Sequence, residues 1–127
     1  MPIDYEVDVS QGLVWVRMRG QVSVDDVRAY RMALESDPAV VPRFGRIIDV
    51  REVEHLLSPA EIRRLADLAR MMEGVHAGAR RALIVTRSDA RQVLEVFVAY
   101  TGGGASEYRL FSDPEEAERW VAEGVSS

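Results

Sequence analysis

Arg46–Leu65 reads RIIDVREVEHLLSPAEIRRL, and its order of apolar and polar residues decides the fold class. Ile47, Ile48 and Val50 form a short apolar run without alternation, the pattern of a strand buried on both faces. A link from Arg51 to Leu57 follows, and Ser58-Pro59-Ala60-Glu61 then opens an amphipathic helix. Ser58 and Glu61 have the spacing of a capping box, and Pro59 suits the first helical position. Ile62, Leu65, Ala66, Ala69 and Met72 make the apolar stripe of a helix running from Pro59 to about Glu73. Arg63, Asp67 and Arg70 fall on the opposite face, at a spacing that allows pairing. A buried strand feeding such a helix is half of a strand–crossover–strand unit. The link between the two lies where open α/β sheets gather their ligands.

The same reading extends outward. Ile3–Val9 alternates apolar and acidic residues, Gln11-Gly12 supplies a turn, and Leu13–Arg19 is a second strand, so the two form a hairpin. Ser23 caps a first helix with Asp25 and Asp26 in its first turn, and Asp37-Pro38 stops it. Downstream, Ala82–Thr86 is another unbroken apolar strand. Ser88 or Asp89 caps a third helix that ends near Thr101 before Gly102-Gly103-Gly104. Glu107–Phe111 is a fifth strand, and Asp113-Pro114-Glu115-Glu116 starts a last helix with Ala117, Trp120 and Val121 turned inward. The expectation is one α/β domain over residues 1–127. Its five strands form a mixed, mostly parallel sheet in the order ββαβαβαβα, with an antiparallel N-terminal hairpin.

Composition narrows the function classes. A hydrophobic fraction of 47% and a charged fraction of 29% are ordinary for a globular domain. The chain has no cysteine, which removes disulfides, thiolate nucleophiles and thiolate metal sites. The net charge of −5 disfavours nonspecific nucleic-acid binding, which needs a basic surface. All 16 basic residues are arginine, which suggests either a set of anion-binding forks or the bias of a genome; the second is the expectation. Met1-Pro2-Ile3-Asp4 has neither a basic nor an apolar leader region, and the longest apolar run, Val96–Tyr100, is far short of a membrane span. A cytoplasmic location is expected.

Four stretches carry a family resemblance. Leu13–Gly20 (LVWVRMRG) is a strand ending in glycine before a capped helix, and Arg46–Arg51 (RIIDVR) is a buried strand containing an acid. Arg81–Thr86 (RALIVT) is the next strand, and Tyr108–Val121 (YRLFSDPEEAERWV) is a strand turning into a helix that bears tryptophan. In order and spacing the chain resembles the STAS and CRAL-TRIO class of α/β domains, specifically the SpoIIAA-like group. The resemblance implies a sheet with helices wound in a superhelix. It also implies roles as anti-sigma factor antagonists, as regulatory domains of transporters or as carriers of apolar ligands. Where phosphorylated antagonists carry Asp-Ser-Ser-Gly at the helix start, this chain has Leu57-Ser58-Pro59-Ala60, so Ser58 alone matches.

Several residues are candidates for function. Ser58 could receive a phosphate at a helix N-terminus, although its capping role competes and Glu61 would repel the modification. Asp49, Arg51, Thr86, Arg87 and Ser88 lie at the carboxyl ends of neighbouring strands, where an anion or a partner loop could bind; pairing of Asp49 and Arg51 with each other or with loop amides and capping by Ser88 is the plainer reading. His55 follows Glu54 and could act as a base, and His76 lies near a helix end. There is no G-x-S-x-G, P-loop or H-E-x-x-H motif, and the glycine run follows a helix instead of preceding one. The third helix is apolar almost all round, so Val96 and Tyr100 could build a homodimer interface or line a ligand pocket. Trp15, flanked by arginines on the second strand, is a further interface candidate if helices cover only one face.

The expectation is a non-catalytic regulatory module that binds a protein partner or itself, through residues 51–61 and the third helix. A binder of a small apolar or amphipathic, lipid-like ligand is the alternative, and an enzyme built around His55 is a weaker third. No cofactor, no metal and no nucleic acid are expected.

Overall fold

The computed structural model describes residues 2–41, 43–55, 57–71, 79–101 and 107–126. It contains β1 (Ile3–Asp8), β2 (Leu13–Gly20), α1 (Val24–Ser36), β3 (Gly45–Val53), α2 (Pro59–Met71), β4 (Arg80–Ile84), α3 (Ser88–Thr101), β5 (Glu107–Phe111) and α4 (Pro114–Ser126). The strands lie side by side in chain order, β1-β2-β3-β4-β5. β1 pairs antiparallel with β2, and every later neighbour is parallel. The architecture is the one that the alternation of strands and helices implies.

Chain order explains the layers. When strands are added one after another in the same direction, crossovers of one hand leave their helices on one side of the sheet. The larger core accordingly joins Val14, Val16, Met18, Ile48, Leu83 and Tyr108 of the sheet to Tyr30 and Leu34 of α1, Ala69 of α2 and the half-buried Leu94, Phe97 and Val98 of α3. α4 has no further strand to feed and folds under the other face. There Ala117, Trp120 and Val121 bury Leu13, Ile47, Ala82 and Ile84. β3 and β4 are thus covered on both sides, which is why Ile47-Ile48 and Ala82-Leu83-Ile84 do not alternate.

Local chemistry fixes the ends. Ser23 caps α1 through a reciprocal pair with Asp26, and Asp37 follows its last turn. The Tyr5 hydroxyl donates to Asp37 at 2.8 Å and ties β1 to that end of the helix. Gly12 has φ +68 in the hairpin turn, a conformation that an L side chain rarely adopts. Asp113 starts α4: its side chain accepts from the Glu115 N–H and its carbonyl from the Ala117 N–H.

Some boundaries differ from the expectation. β3 continues to Val53 because Arg19 and Gly20 of β2 go on pairing with Glu52 and Val53, past the apolar run. The link to α2 is shorter in consequence. β4 starts at Arg80, which pairs with Glu107 of β5, and ends at Ile84. α3 begins at Ser88 itself, and the Arg87 carbonyl accepts its first helical bond from Arg91, so neither Ser88 nor Asp89 is the cap. The expected end of α2 near Glu73, with Met72 of its stripe, His76 and the Gly102-Gly103-Gly104 run lie outside the described residues. No described helix is long and apolar enough to cross a membrane.

Gly45 opens β3 where α4 crosses beneath it, and a Cβ there would collide with the Val121 side chain. Gly45→Ala is therefore expected to cost about 1–3 kcal/mol of stability. Val121→Ala in the same chain should recover part of that loss, a coupling that urea denaturation of the two single variants and the double variant measures. Additive losses would contradict this contact.

Candidate functional site

The carboxyl edge of the sheet holds most of the residues singled out in the sequence, but it does not gather them. Asp49 and Arg51 pair with each other, with Arg51 Nη2 2.7 Å and Nε 3.0 Å from the carboxylate. Arg87 pairs with Asp89 at 2.9 Å and donates to the Val53 carbonyl at 3.2 Å, which bridges the ends of β3 and β4. A polar depression here is lined by Arg19, Gly20, Arg51, Glu52, Val53, Glu54 and Arg87; Asp49, Thr86 and Ser88 take no part in it. Thr86 and Ser88 are exposed. Ser58 is a helix cap: its hydroxyl accepts from the Glu61 N–H at 3.2 Å, and Glu61 accepts from the Ser58 N–H at 3.0 Å. Those bonds hold the Glu61 carboxyl below its ordinary value. Among the described residues no group of three or more His, Cys, Asp or Glu side chains stands ready to hold a metal ion.

The interface candidates separate as well. Val96 is 46% exposed. Tyr100 is exposed but engaged, its hydroxyl accepting from Arg63 at 2.9 Å. Arg63 therefore turns to α3, and no ion pair joins it to Asp67 as the spacing suggested. Trp15 is half-buried against the α4 cluster, because α4 covers the face that the sequence left open. Arg17 and Arg19 beyond it are exposed, and Arg19 pairs with Asp4 across the hairpin at 3.1 Å.

The most unusual chemistry lies inside the larger core. Parallel register places Arg46, Arg81 and Tyr108 side by side on β3, β4 and β5, all on the face under α1–α3. Arg31 joins them from α1. Arg46 is 5%, Arg31 7% and Arg81 0% exposed. Arg81 Nη1 donates to the Tyr108 hydroxyl at 2.7 Å, Arg31 Nη1 makes a longer 3.5 Å contact with the same oxygen, and Arg46 Nη1 donates to Tyr30 at 3.2 Å. Arg81 lies over the Tyr108 ring and Arg46 over the Tyr30 ring, 5.4 and 5.8 Å from the centroids, and Phe97 meets Tyr108 edge-on at 5.2 Å. Among the described residues no carboxylate pairs with any of the three guanidiniums. Arg31 Nε and Arg81 Nε and Nη2 are buried without a hydrogen-bond partner. Burial pushes the Arg81 guanidinium below its ordinary value, and the neighbouring Arg46 and Arg31 add to this against the pull of Tyr108. Burial alone would raise the Tyr108 phenol, but the three cations outweigh it and hold the group below its ordinary value.

Beside this cluster lies a cavity of about 120 Å³. Tyr30, Arg31 and Tyr108 are at its polar foot. Ile48, Leu83, Ala69, Leu94 and Phe97 form its apolar wall, and His55 and Leu57 reach it from the link after β3. His55 thus faces an apolar space; its electrostatic neighbour is Glu61, which it helps to keep ionised.

The sequence matches the SpoIIAA-like family over residues 13–122, from the start of β2 into α4. The chain belongs to the SpoIIAA-like family. A crystal structure of an uncharacterized protein of the DUF3478 family with a SpoIIAA-like fold, from Shewanella loihica PV-4, superposes with a TM-score of 0.66 at 20% identity, covering 94% of this chain and 93% of that one. At this identity the likeness is one of fold. No curated protein matches the sequence.

The buried arginines of this SpoIIAA-like domain were missed by residue-level reading, because an arginine at the start of a strand looks like a solvated end. The signal was present across strands: RII, RAL and YRL each begin at the second residue of β3, β4 and β5, at one register position.

At the sheet edge, partial burial raises the Asp49 carboxyl and the Arg51 hydrogen bonds more than offset it, so the group sits below its ordinary value. A depressed carboxyl stabilises the fold above its unfolded value of about 3.9 and loses that contribution as pH falls through the folded value. NMR titration is expected to find Asp49 below the usual aspartate range, and Arg51→Ala to move it upward. An unmoved midpoint would show that the pair does not set it.

Proposed function

We propose that this SpoIIAA-like domain is a non-catalytic binding module that holds a small apolar or amphipathic molecule between the sheet and α1–α3. The observation that supports it is the cavity itself, with an aliphatic and aromatic wall and a polar foot. Its size bounds the occupant. An engineered cavity of about 150 Å³ takes benzene, so a space of this order suits an aryl or short alkyl body and not a full-length lipid chain. Ala69 is buried and on the wall. Ala69→Leu is expected to fill the space with little loss of stability and to abolish binding of 1-hexanol followed by NMR shifts. Undiminished binding in that variant would place the occupant elsewhere.

A second reading joins the first to a protein partner. Members of this family are commonly regulatory interaction modules, and residues 51–61 belong to both sides of such a role here. Leu57 and His55 reach the cavity, while Arg51, Glu52, Glu54 and Ser58 are exposed. An occupant would touch the same segment that a partner would read. Self-association through α3 is a separate possibility resting on the exposed Val96. Light scattering of wild type and Val96→Glu tests it: a dimer that becomes a monomer in the variant supports an α3 interface, and one mass for both proteins removes it.

A further inference from the structure

We infer that the buried arginine cluster is a head-group site, and that the molecule held in the cavity is a small monocarboxylate whose hydrocarbon body lies against the apolar wall. The inference rests on the cavity reading above and adds the charge of its occupant.

The argument begins with hydrogen-bond accounting. Buried polar atoms in folded proteins nearly always find partners. Here three buried nitrogens have none, all are donors, and all belong to one cluster. The two phenols do not relieve it. Tyr108 accepts from Arg81 and Arg31, Tyr30 accepts from Arg46, and no described acceptor receives either phenolic proton. The cluster beside the foot of the cavity is therefore an excess of donors with three positive charges, of which Arg31 lines the cavity itself. Burying even one unpaired ion costs several kcal/mol. Swapping the arginines for apolar residues of similar volume would remove that cost, so a structural role alone gives little reason for three of them.

Geometry then points to the head group. Arg81 is not among the residues that line the cavity and Arg31 is, so Arg31 supplies the guanidinium that a ligand can meet, a planar fork of donors that suits the two oxygens of a carboxylate. Arg31, with its own unpartnered Nε, lies directly on the cavity together with Tyr30 and Tyr108. A carboxylate seated there accepts from Arg31 and from the phenolic protons, and it neutralises Arg81 one layer behind through Tyr108. The remaining wall offers aliphatic and aromatic carbon, which suits a hydrocarbon body and no second polar group. The same charges that leave Tyr108 surrounded by cations favour an anion at this spot and disfavour an amine.

Calorimetric titration of the wild-type protein with hexanoate, 1-hexanol and acetate tests this. Hexanoate is expected to bind about tenfold or more tighter than 1-hexanol, the least that a charge-assisted hydrogen bond supplies, and acetate to bind far more weakly than hexanoate. Arg31→Met is expected to bring the acid and the alcohol to similar affinities without loss of the alcohol. Equal or tighter binding of 1-hexanol by the wild type would overturn the head-group site and leave the cavity reading standing. Acetate binding as tightly as hexanoate would overturn the amphipathic ligand. Saturable binding of neither hexanoate nor 1-hexanol would sink both the inference and the reading beneath it. The wild-type comparison decides the matter even if Arg31→Met does not fold.

Discussion

Two adjacent strands, β3 and β4, are covered on both faces, and the rest of the molecule is arranged around that fact. A strand with helices above and below can place polar side chains at its ends only if something inside answers them. Arg46 and Arg81 stand at such ends, in register, on the face beneath three helices. Their guanidiniums are consequently part of the interior. Of the aromatic residues packed around them, Tyr30 and Tyr108 accept hydrogen bonds and offer ring faces, and Phe97 meets Tyr108 edge-on, but no described carboxylate joins them. The larger core is thus apolar over most of its extent and strongly cationic at one end. The smaller core under α4, built on Ile47, Ile84, Trp120 and Val121, contains no buried charge among its members.

The architecture was legible because its signals are local. The alternation in IDYEVD, the unbroken runs in RIID and RALI, and the caps at Ser23, Ser58 and Asp113 each report on a few neighbouring residues. Boundaries were less legible where pairing outlasts hydrophobicity. Glu52 and Val53 remain in β3 because β2 still offers backbone partners, a fact that no apolar pattern records. Burial of β3 on both faces was legible in its unbroken apolar run, but the element that covers the second face was not: the turn that carries α4 beneath the sheet depends on where β5 ends in space, and this decides that Trp15 is half-buried. The arginine cluster is the extreme case. Its members are separated by 15 to 77 positions in the chain, and only register unites Arg46, Arg81 and Tyr108. By contrast, Asp49 with Arg51 and Ser58 with Glu61, close in sequence, are the simple pairs that their spacing implies.

The two ends of the sheet therefore carry different chemistry. At the carboxyl edge the charges are matched, a part-buried Asp49 with exposed Arg51 and exposed Arg87 with Asp89, so solvent screens much of their electrostatics. At the buried end the charges are enclosed and unmatched. The cavity runs between these regimes, from the phenols and Arg31 to the link containing His55 and Leu57. The same apolar space is thus bordered by the charged interior and by the surface segment after β3.

The strand order leaves two open rims, β1 on one side and β5 on the other. β1 carries exposed Asp4 and Glu6, and β5 carries exposed Glu107 and Arg109. Charged side chains along an unpaired rim resist the addition of a foreign strand. The acids of β1 would meet their own likenesses if two copies joined rim to rim there. Growth of this sheet into a continuous intermolecular ribbon, the route by which open α/β domains begin to form fibres, is thus opposed by the same alternating acids that mark its first strand.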